Sequence, residues 1–204
     1  NGSSFVVDGK GLHLYKELHD VIKLSPFGAT GLMLLSVLSA QDLRYRVDLG
    51  CKTKWFEPLL ECLSAMGMPA HPETESIYSV GGESKKAIDH DVVDVRPDVK
   101  MAVLLASLYC SGKTTLRETE KNRNRTERFF RVRGIAVERR KFDNEYLLSL
   151  QGEQNVRPLD LDIPGDLDLA YPFLLPALVL KESRLTIKSV AVWSGRRHFL
   201  DFLL

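Results

Sequence analysis

The stretch from Asp98 to Arg128, DVKMAVLLASLYCSGKTTLRETEKNRNRTER, decides the fold. Ser111-Gly112 marks the end of a first helix, because glycine readily adopts the left-handed conformation common at helix ends. The paired threonines between Lys113 and Glu118 predict a strand, and Asn124 predicts the cap of a second helix. The first helix is predicted from apolar residues at helical spacing, which are Val99, Val103, Leu104, Ala106 and Leu108.

The same order of elements occurs three times along the chain. Apolar helices are predicted to begin near Gly28, Asp98 and Asp166, so the period is about 70 residues, that of a small subdomain. We interpret the repeat as a βαβαββ unit, used about twice over residues 1–160 and once in part over residues 161–204. The strands predicted after these helices are Leu43–Leu49, Thr114–Glu118 and Arg184–Val190, and the second helices are Trp55–Met66, Asn124–Val132 and Arg196–Leu204.

Composition indicates an ordinary globular protein. Of the 204 residues, 44% are hydrophobic and 27% charged, and the net charge of +1 gives no general attraction to nucleic acid or membranes. The cysteines lack metal-ligand spacing, and Cys62 and Cys110 lie in apolar helical contexts, which predicts buried free thiols in a reducing cytoplasm. The sequence predicts no signal peptide and no membrane-spanning run, so a cytoplasmic location is expected.

Local patterns predict the remaining elements. Phe5–Asp8, Asp91–Val95 and Tyr146–Leu150 are predicted strands, and Arg139–Asn144 is predicted to be a turn. Residues 157–163 alternate strictly and lead into Pro164-Gly165-Asp166, where a hinge between domains is expected.

Four pieces of the chain stand out together by their order and spacing: Lys100 with the LLASLYCSGKTTLRE run, Arg123 with Thr126-Glu127-Arg128, Ile163-Pro164-Gly165-Asp166, and LSAMG at Leu63–Gly67. With them the chain resembles the enolpyruvyl transferase family, and within it the 5-enolpyruvylshikimate-3-phosphate (EPSP) synthases. The resemblance extends from about Phe5 to His198. It implies an α/β fold, an inside-out α/β barrel of repeated βαβαββ units, as in one domain of an enolpyruvyl transferase.

The resemblance implies an activity. Members transfer the enolpyruvyl group of phosphoenolpyruvate to a hydroxyl of shikimate 3-phosphate and release phosphate, a step in aromatic amino-acid biosynthesis. No metal or organic cofactor is implied. The family's site lies in the cleft between two domains, so a complementary domain or chain is an expected partner. The family's first-unit signature, which carries a catalytic lysine, is absent from this sequence.

Three family motifs that bind anions are altered here. The motif G-N-x-G-T-x-x-R keeps Gly28 but has Leu32 at its arginine position, so we expect this site to be structural only. The motif R-P corresponds to Lys54, which keeps the charge without the arginine fork. The motif S-S-Q corresponds to Arg96-Pro97-Asp98, in which Arg96 could replace the lost hydroxyls and Asp98 is expected to cap the helix.

Other family positions are better retained. In the S-R-D-H-T-E motif, Arg123, Thr126 and Glu127 match, and Asn122 stands at a phosphate-binding serine. Thr126 and Glu127 are equally explained by helix capping and the helix dipole. The resemblance implies a catalytic or a capping role for Asp166 and a substrate-binding role for Arg196, near the family's N-P-x-R.

Three alternatives remain open. The altered motifs suit a catalytically dead homologue that acts as a binding or regulatory module. The basic cluster from Lys121 to Lys141 could bind an acidic partner or nucleic acid phosphates, although nucleic acid is the less favoured ligand. The UDP-N-acetylglucosamine branch of the family ranks lower, because no cysteine here matches its loop cysteine. The five histidines have no metal or triad spacing, so no metal is predicted.

Overall fold

The structure, a computed structural model, describes residues 6–9, 11–13, 18–24, 29–50, 53–82, 84–90, 96–119, 125–143, 145–192 and 198–203. The chain divides into two compact units, residues 1–158 and residues 159–204. Each unit is described by itself below.

The first repeat is a four-stranded sheet with two helices. Its strand order is β1-β2-β4-β3, in which β1 and β2 are parallel and the other pairs are antiparallel. The elements are β1 (Ile22–Lys23), α1 (Ala29–Ser39), β2 (Tyr45–Asp48), α2 (Thr53–Ala65), β3 (His71–Pro72) and β4 (Ile77–Val80).

The second repeat has the same topology. Its strand order is β5-β6-β8-β7, again with one parallel pair followed by two antiparallel pairs. The order of elements is therefore βαβαββ in both repeats. The elements are β5 (Asp89–His90), α3 (Pro97–Ser107), β6 (Lys113–Thr119), α4 (Arg125–Val132), β7 (Val137–Phe142) and β8 (Glu145–Gln151).

One core serves both repeats, because α1 and α3 pack against each other. These helices are apolar around most of their circumference, as helices buried on several sides must be. The helices α1 and α2 contribute Leu32, Leu35 and Phe56 to the core, and α3 contributes Val99 and Leu104. Burial of this apolar surface is the main force that holds the two repeats together.

A glycine stands after the last strand of each repeat, where the chain passes the end of the first helix. A Cβ atom on Gly81 would overlap the carbonyl oxygen of Leu43 and lie 3.0 Å from that of Leu38. A Cβ atom on Gly152 would overlap the carbonyl oxygen of Cys110 and lie 2.7 Å from that of Ser107. Both corners therefore require glycine for the same steric reason.

The unit of residues 159–204 contains part of a third repeat. Its elements are β9 (Gly165–Asp166), α5 (Leu167–Val179), β10 (Val190–Ala191) and α6 (His198–Leu203), and β9 pairs with β10 in parallel. Asp166 caps α5, because its side chain accepts a 3.0 Å hydrogen bond from the Asp168 amide. No helix in the described ranges is long and apolar enough to cross a bilayer.

Two predicted strands are wrong in whole or in part. Residues 6–8 form no strand, because they pair with no other strand in the described part of the chain. Residues 184–189 are also irregular, and that strand begins only at Val190. Residues 157–163 alternate in polarity but pair with nothing described, since alternation alone does not supply a neighbouring strand. Residues 91–95 lie outside the described residues.

Two boundaries were also misplaced. Arg139 to Phe142 belong to β7 rather than to a turn. This strand lies at the edge of its sheet, where charged side chains are common because they block pairing with another chain. The helix α3 ends at Ser107, before the predicted end at Ser111-Gly112. Its C-cap residue, Leu108, has a right-handed backbone conformation. The predicted cap at Asn124 lies outside the described residues.

Candidate functional site

The starts of α2 and α3 contact each other through Arg96. This residue immediately precedes α3, and its Nη2 donates a 2.9 Å hydrogen bond to the carbonyl oxygen of Trp55 in the first turn of α2. Its guanidinium carbon lies 3.7 Å from the centre of the Trp55 ring, a cation–π contact. The predicted sites at Lys54 and Arg96, 42 residues apart in sequence, are therefore brought together.

Two buried donors at this contact lack acceptors. Arg96 Nε and Trp55 Nε1 are both inaccessible to solvent, and neither makes a hydrogen bond within the described structure. Asp98 Oδ1 lies 3.4 Å from Arg96 Nε without hydrogen-bond geometry and accepts instead from the Val99 amide. The prediction that Asp98 caps α3 is therefore wrong, because Asp98 lies in the first turn of α3 and the cap position is Arg96, which makes no side-chain cap hydrogen bond.

The electrostatics of this end favour anions. Helix starts carry unsatisfied N–H groups and the positive end of the helix dipole, which together attract phosphate and carboxylate groups. Lys54 is exposed at the second position of α2, and Arg96 adds a second positive charge. Asp98 opposes them, because its carboxylate lies beside the guanidinium.

A buried ion network ties α3 to the start of α4. Lys100, only 3% exposed, has its Nζ 2.7 Å from Glu118 Oε2 on β6 and 3.1 Å from Glu127 Oε1 on α4. Glu118 also accepts from Arg139 Nε on β7, at 2.8 Å. Among these described contacts two cations face two carboxylates, so these four groups together carry no net charge.

The retained S-R-D-H-T-E motif is described only in part. Thr126 and Glu127 are buried in the first turn of α4. Asn122 and Arg123 lie outside the described residues, as does Arg196. Leu32, at the position of the family's lost arginine, is fully buried in the core.

The family profile described as EPSP synthase (3-phosphoshikimate 1-carboxyvinyltransferase) matches residues 1–203 of the chain. The chain belongs to the EPSP synthase family. Its relatives include the 3-phosphoshikimate 1-carboxyvinyltransferases of Bacillus pumilus, 28% identical over 99% of this chain and 47% of the relative, and of Geobacter sulfurreducens, 31% identical over 100% and 48%. The chain thus spans about half the length of the relatives it matches.

A solved EPSP synthase has the same fold. The chain superimposes on one from Acinetobacter baumannii with a TM-score of 0.72 and 25% identity, over 96% of this chain and 45% of that one. The structure therefore confirms a mixed α/β domain resembling half of an EPSP synthase. Closure of a barrel remains a prediction.

The sequence comparison with EPSP synthases did not single out Lys100 as part of a site. Its signal was a lone lysine within the apolar run of α3, since a lysine is almost never fully buried unless it is paired. Trp55 was missed because its contact with Arg96 depends on how two helices 41 residues apart meet.

The basic cluster of this EPSP synthase family member is partly occupied by its own chain. Arg139 binds Glu118 and lies over the Tyr146 ring, with its guanidinium carbon 3.4 Å from the ring centre. Arg131 donates to the Val137 carbonyl, and Arg140 lies 3.5 Å from Glu138. These contacts leave fewer charges for an external acidic ligand.

The two cysteines of the described chain, Cys62 and Cys110, lie in the core. Cys62 and Cys110 are free and buried as predicted, and burial raises the pKa of each thiol to about 11, so both stay protonated at neutral pH. Within the described ranges, no three or more His, Cys, Asp or Glu residues cluster as a metal site would require.

Proposed function

We propose that this chain supplies part of the anion-binding site of an enzyme that transfers the enolpyruvyl group from phosphoenolpyruvate to shikimate 3-phosphate. The observation that carries the proposal is Arg96. Its guanidinium lies where two helix starts meet, and its side chain is 35% exposed, so it is both fixed in place and partly accessible. A phosphate or carboxylate oxygen would accept a charge-assisted hydrogen bond from this guanidinium.

The reaction gives each anion-binding group a task. The acceptor hydroxyl oxygen forms a new bond to the enol carbon of phosphoenolpyruvate, the bond from that carbon to the phosphate oxygen breaks, and phosphate leaves with the hydroxyl proton. Lys54 and Arg96 would hold the anionic groups of the substrates, and fixed positive groups would stabilise the charge on the departing phosphate.

The remaining predicted site residues complete the proposal. Thr126 would offer a hydroxyl from the first turn of α4, and Glu127 would act through Lys100, which it contacts. Asn122, Arg123 and Arg196 are proposed substrate-binding residues on sequence grounds alone. Asp166 is proposed as a proton-transfer residue, although its described role is to cap α5.

The wider setting follows from the same family relationship. The chain would form one inside-out α/β barrel, and a complementary domain or chain would close the cleft, because the relatives are about twice as long. The reaction would take place in the cytoplasm during aromatic amino-acid biosynthesis, without a metal or organic cofactor.

The test is phosphate release by the full-length protein in the presence of both substrates. Arg96→Ala is expected to lower kcat/KM by about 10- to 100-fold, the value of a charge-assisted hydrogen bond of about 1.5–3 kcal/mol. Arg46→Ala is the matched control, since Arg46 is exposed on β2 and pairs with Glu73, and it should leave the rate unchanged. No phosphate release by the unmodified protein would contradict the proposal.

A second candidate function is that of a catalytically inactive homologue that only binds ligands. It is favoured by Leu32, which puts a buried apolar side chain at a family arginine position, and by Asp98, which places a negative charge next to Arg96. Such a protein would bind shikimate 3-phosphate and release no phosphate. Turnover by the unmodified full-length protein would exclude it.

A further inference from the structure

Lys100 contacts both ends of the connection between β6 and α4. Glu118 stands at the end of β6 and Glu127 in the first turn of α4, and the two carboxylates bind the same ammonium group from opposite ends of this connection. Lys100 itself lies one helical turn after Arg96, and its amide donates to the Arg96 carbonyl at 3.0 Å. One side chain thus links the start of α3 to the start of α4.

The two carboxylates depend on Lys100 to different degrees. Glu118 also receives a hydrogen bond from Arg139, which is held in turn against the Tyr146 ring. Glu127 is fully buried, and in the described part of the chain Lys100 is the one cation that it contacts. Its second oxygen, Oε2, is buried and accepts no hydrogen bond there. Loss of the ammonium would therefore affect α4 more than β6.

An ion network is not required to fill the core at the position of Lys100. The fourth residue of α1 is Leu32 and the fourth residue of α3 is Lys100, and both are buried in equivalent helices of the two repeats. Well-packed apolar groups are often as stabilising as a buried ion pair. A directional charge at this position is better suited to fixing a neighbouring element in one place than to adding stability.

We propose that Lys100 is a positioning residue that holds the first turn of α4 in register with the start of α3. Through Glu127 it fixes Thr126, and through its own place on α3 it fixes the distance to Arg96. The purpose of this arrangement rests on the proposed function, because it keeps two sets of anion-binding groups at one end of the domain. The attachment of α4 to α3 through Lys100 rests on the geometry alone.

The experiment measures amide hydrogen exchange in the full-length protein for the unmodified form, Lys100→Met, Glu127→Gln and the double variant. Lys100→Met should speed exchange of the α4 amides at residues 129–132 by about 100-fold relative to those of α2, because a local opening releases α4 alone. Glu127→Gln should have a smaller effect in the same place. Lys113→Met, which removes an exposed lysine from the same sheet, should change neither helix.

A uniform increase in exchange across α2, α4 and the sheets would overturn the proposal, because it would show that Lys100 only adds global stability. If Lys100→Met does not fold, Glu127→Gln decides by the same criterion, and an α4 that exchanges as in the unmodified protein would overturn the proposal.

Affinity for shikimate 3-phosphate, measured on the same proteins, separates this proposal from the proposed function. The double variant, which leaves no stranded carboxylate, should recover stability but bind at least about 10-fold more weakly. Binding as tight as that of the unmodified protein would contradict the positioning role. No binding by the unmodified protein would contradict the proposed function, and α4 exchange would still decide the attachment of α4.

Discussion

The two repeats share one topology but treat the same helix position differently. Leu32, the fourth residue of α1, is surrounded by apolar neighbours, whereas Lys100, the fourth residue of α3, is bound by Glu118 and Glu127. Both side chains are almost completely buried. At this helix position the βαβαββ fold therefore accepts any side chain whose burial costs little free energy. The first repeat uses an apolar side chain, and the second repeat uses a lysine paired with carboxylates.

The ionic contacts of the first repeat lie at its surface instead. Asp42, whose side chain is 68% exposed, contacts Lys85 and lies 3.1 Å from His13 Nδ1. Exposed ion pairs contribute little to stability because water and salt screen them. The buried pairs of Lys100 can thus hold elements in place, whereas the exposed pairs of Asp42 contribute little.

The largest expected effect comes from placing the charge of the second repeat in the first. Leu32→Lys should lower the free energy of unfolding by about 3–5 kcal/mol, because the ammonium would be buried without a carboxylate. Leu34→Lys is the control, since Leu34 lies on the same helix but is 39% exposed, and it should cost less than about 1 kcal/mol. Urea denaturation measures both. Equal stability of the two variants would show that the first repeat accommodates a charge as the second does.

The glycine corners should behave alike in the two repeats. Gly152→Ala should cost about 1–3 kcal/mol, because the new methyl group overlaps the carbonyl oxygen of Cys110, in the turn after α3. Gly81→Ala should cost about 1–2 kcal/mol more, because its φ of +88° also disfavours alanine.

The control for both variants is Gly50→Ala, where φ is +64° but the space is open, so only the backbone cost of about 1–2 kcal/mol is expected. Thermal denaturation measures all three variants. A Gly152→Ala variant as stable as the unmodified protein would contradict the steric equivalence of the two corners.

A smaller effect is expected at the proposed anion site, where the starts of α2 and α3 meet. Asp98→Asn removes the negative charge 3.4 Å from Arg96 Nε and should tighten shikimate 3-phosphate binding about 10-fold, or about 1.4 kcal/mol. Asp42→Asn removes an exposed charge beside Lys85 and should leave the affinity unchanged. Isothermal titration calorimetry on the full-length protein measures this, and weaker binding by Asp98→Asn would show that Asp98 contacts the ligand favourably.

The smallest effect concerns the exposed contact of Asp42 with Lys85 in the first repeat. The hydrogen bond from Lys85 holds the pKa of Asp42 below its ordinary value of 3.8. The contact therefore stabilises the protein above about pH 4, and this contribution is lost as the pH falls through the pKa of the folded state. Asp42→Asn should cost less than about 1 kcal/mol at pH 7 and less again at pH 2. Denaturation at the two pH values measures this, and an equal loss at both would assign the contact a role other than ion pairing.

Sequence patterns were sufficient to predict the helices and strands whose own residues show a clear periodicity. Apolar runs predicted α1 and α3, and the paired threonines predicted β6, because helix and strand periodicity are local properties. The strand predicted at residues 6–8 does not form, because a strand also needs a neighbouring strand to pair with. The strand β7 was missed for the opposite reason, since its charges suit an edge position that only the assembled sheet defines.

The site was less predictable than the fold. Arg96 and Lys54 could be named from their motif positions, but the contact of Arg96 with Trp55 depends on the packing of α2 on α3. Lys100 binds Glu118 and Glu127, which lie 18 and 27 residues further along the chain, and nothing in the sequence of α3 indicates these partners. Long-range contacts of this kind are specified by the whole fold.

The most direct test of the central claim is calorimetric titration of the full-length protein with shikimate 3-phosphate, comparing the unmodified form with Arg96→Ala and Arg46→Ala. The proposal is that the adjacent starts of α2 and α3 bind the anion through Arg96, so Arg96→Ala should weaken binding by about 10- to 100-fold and Arg46→Ala should leave it unchanged. Equal affinity in all three proteins would contradict that claim.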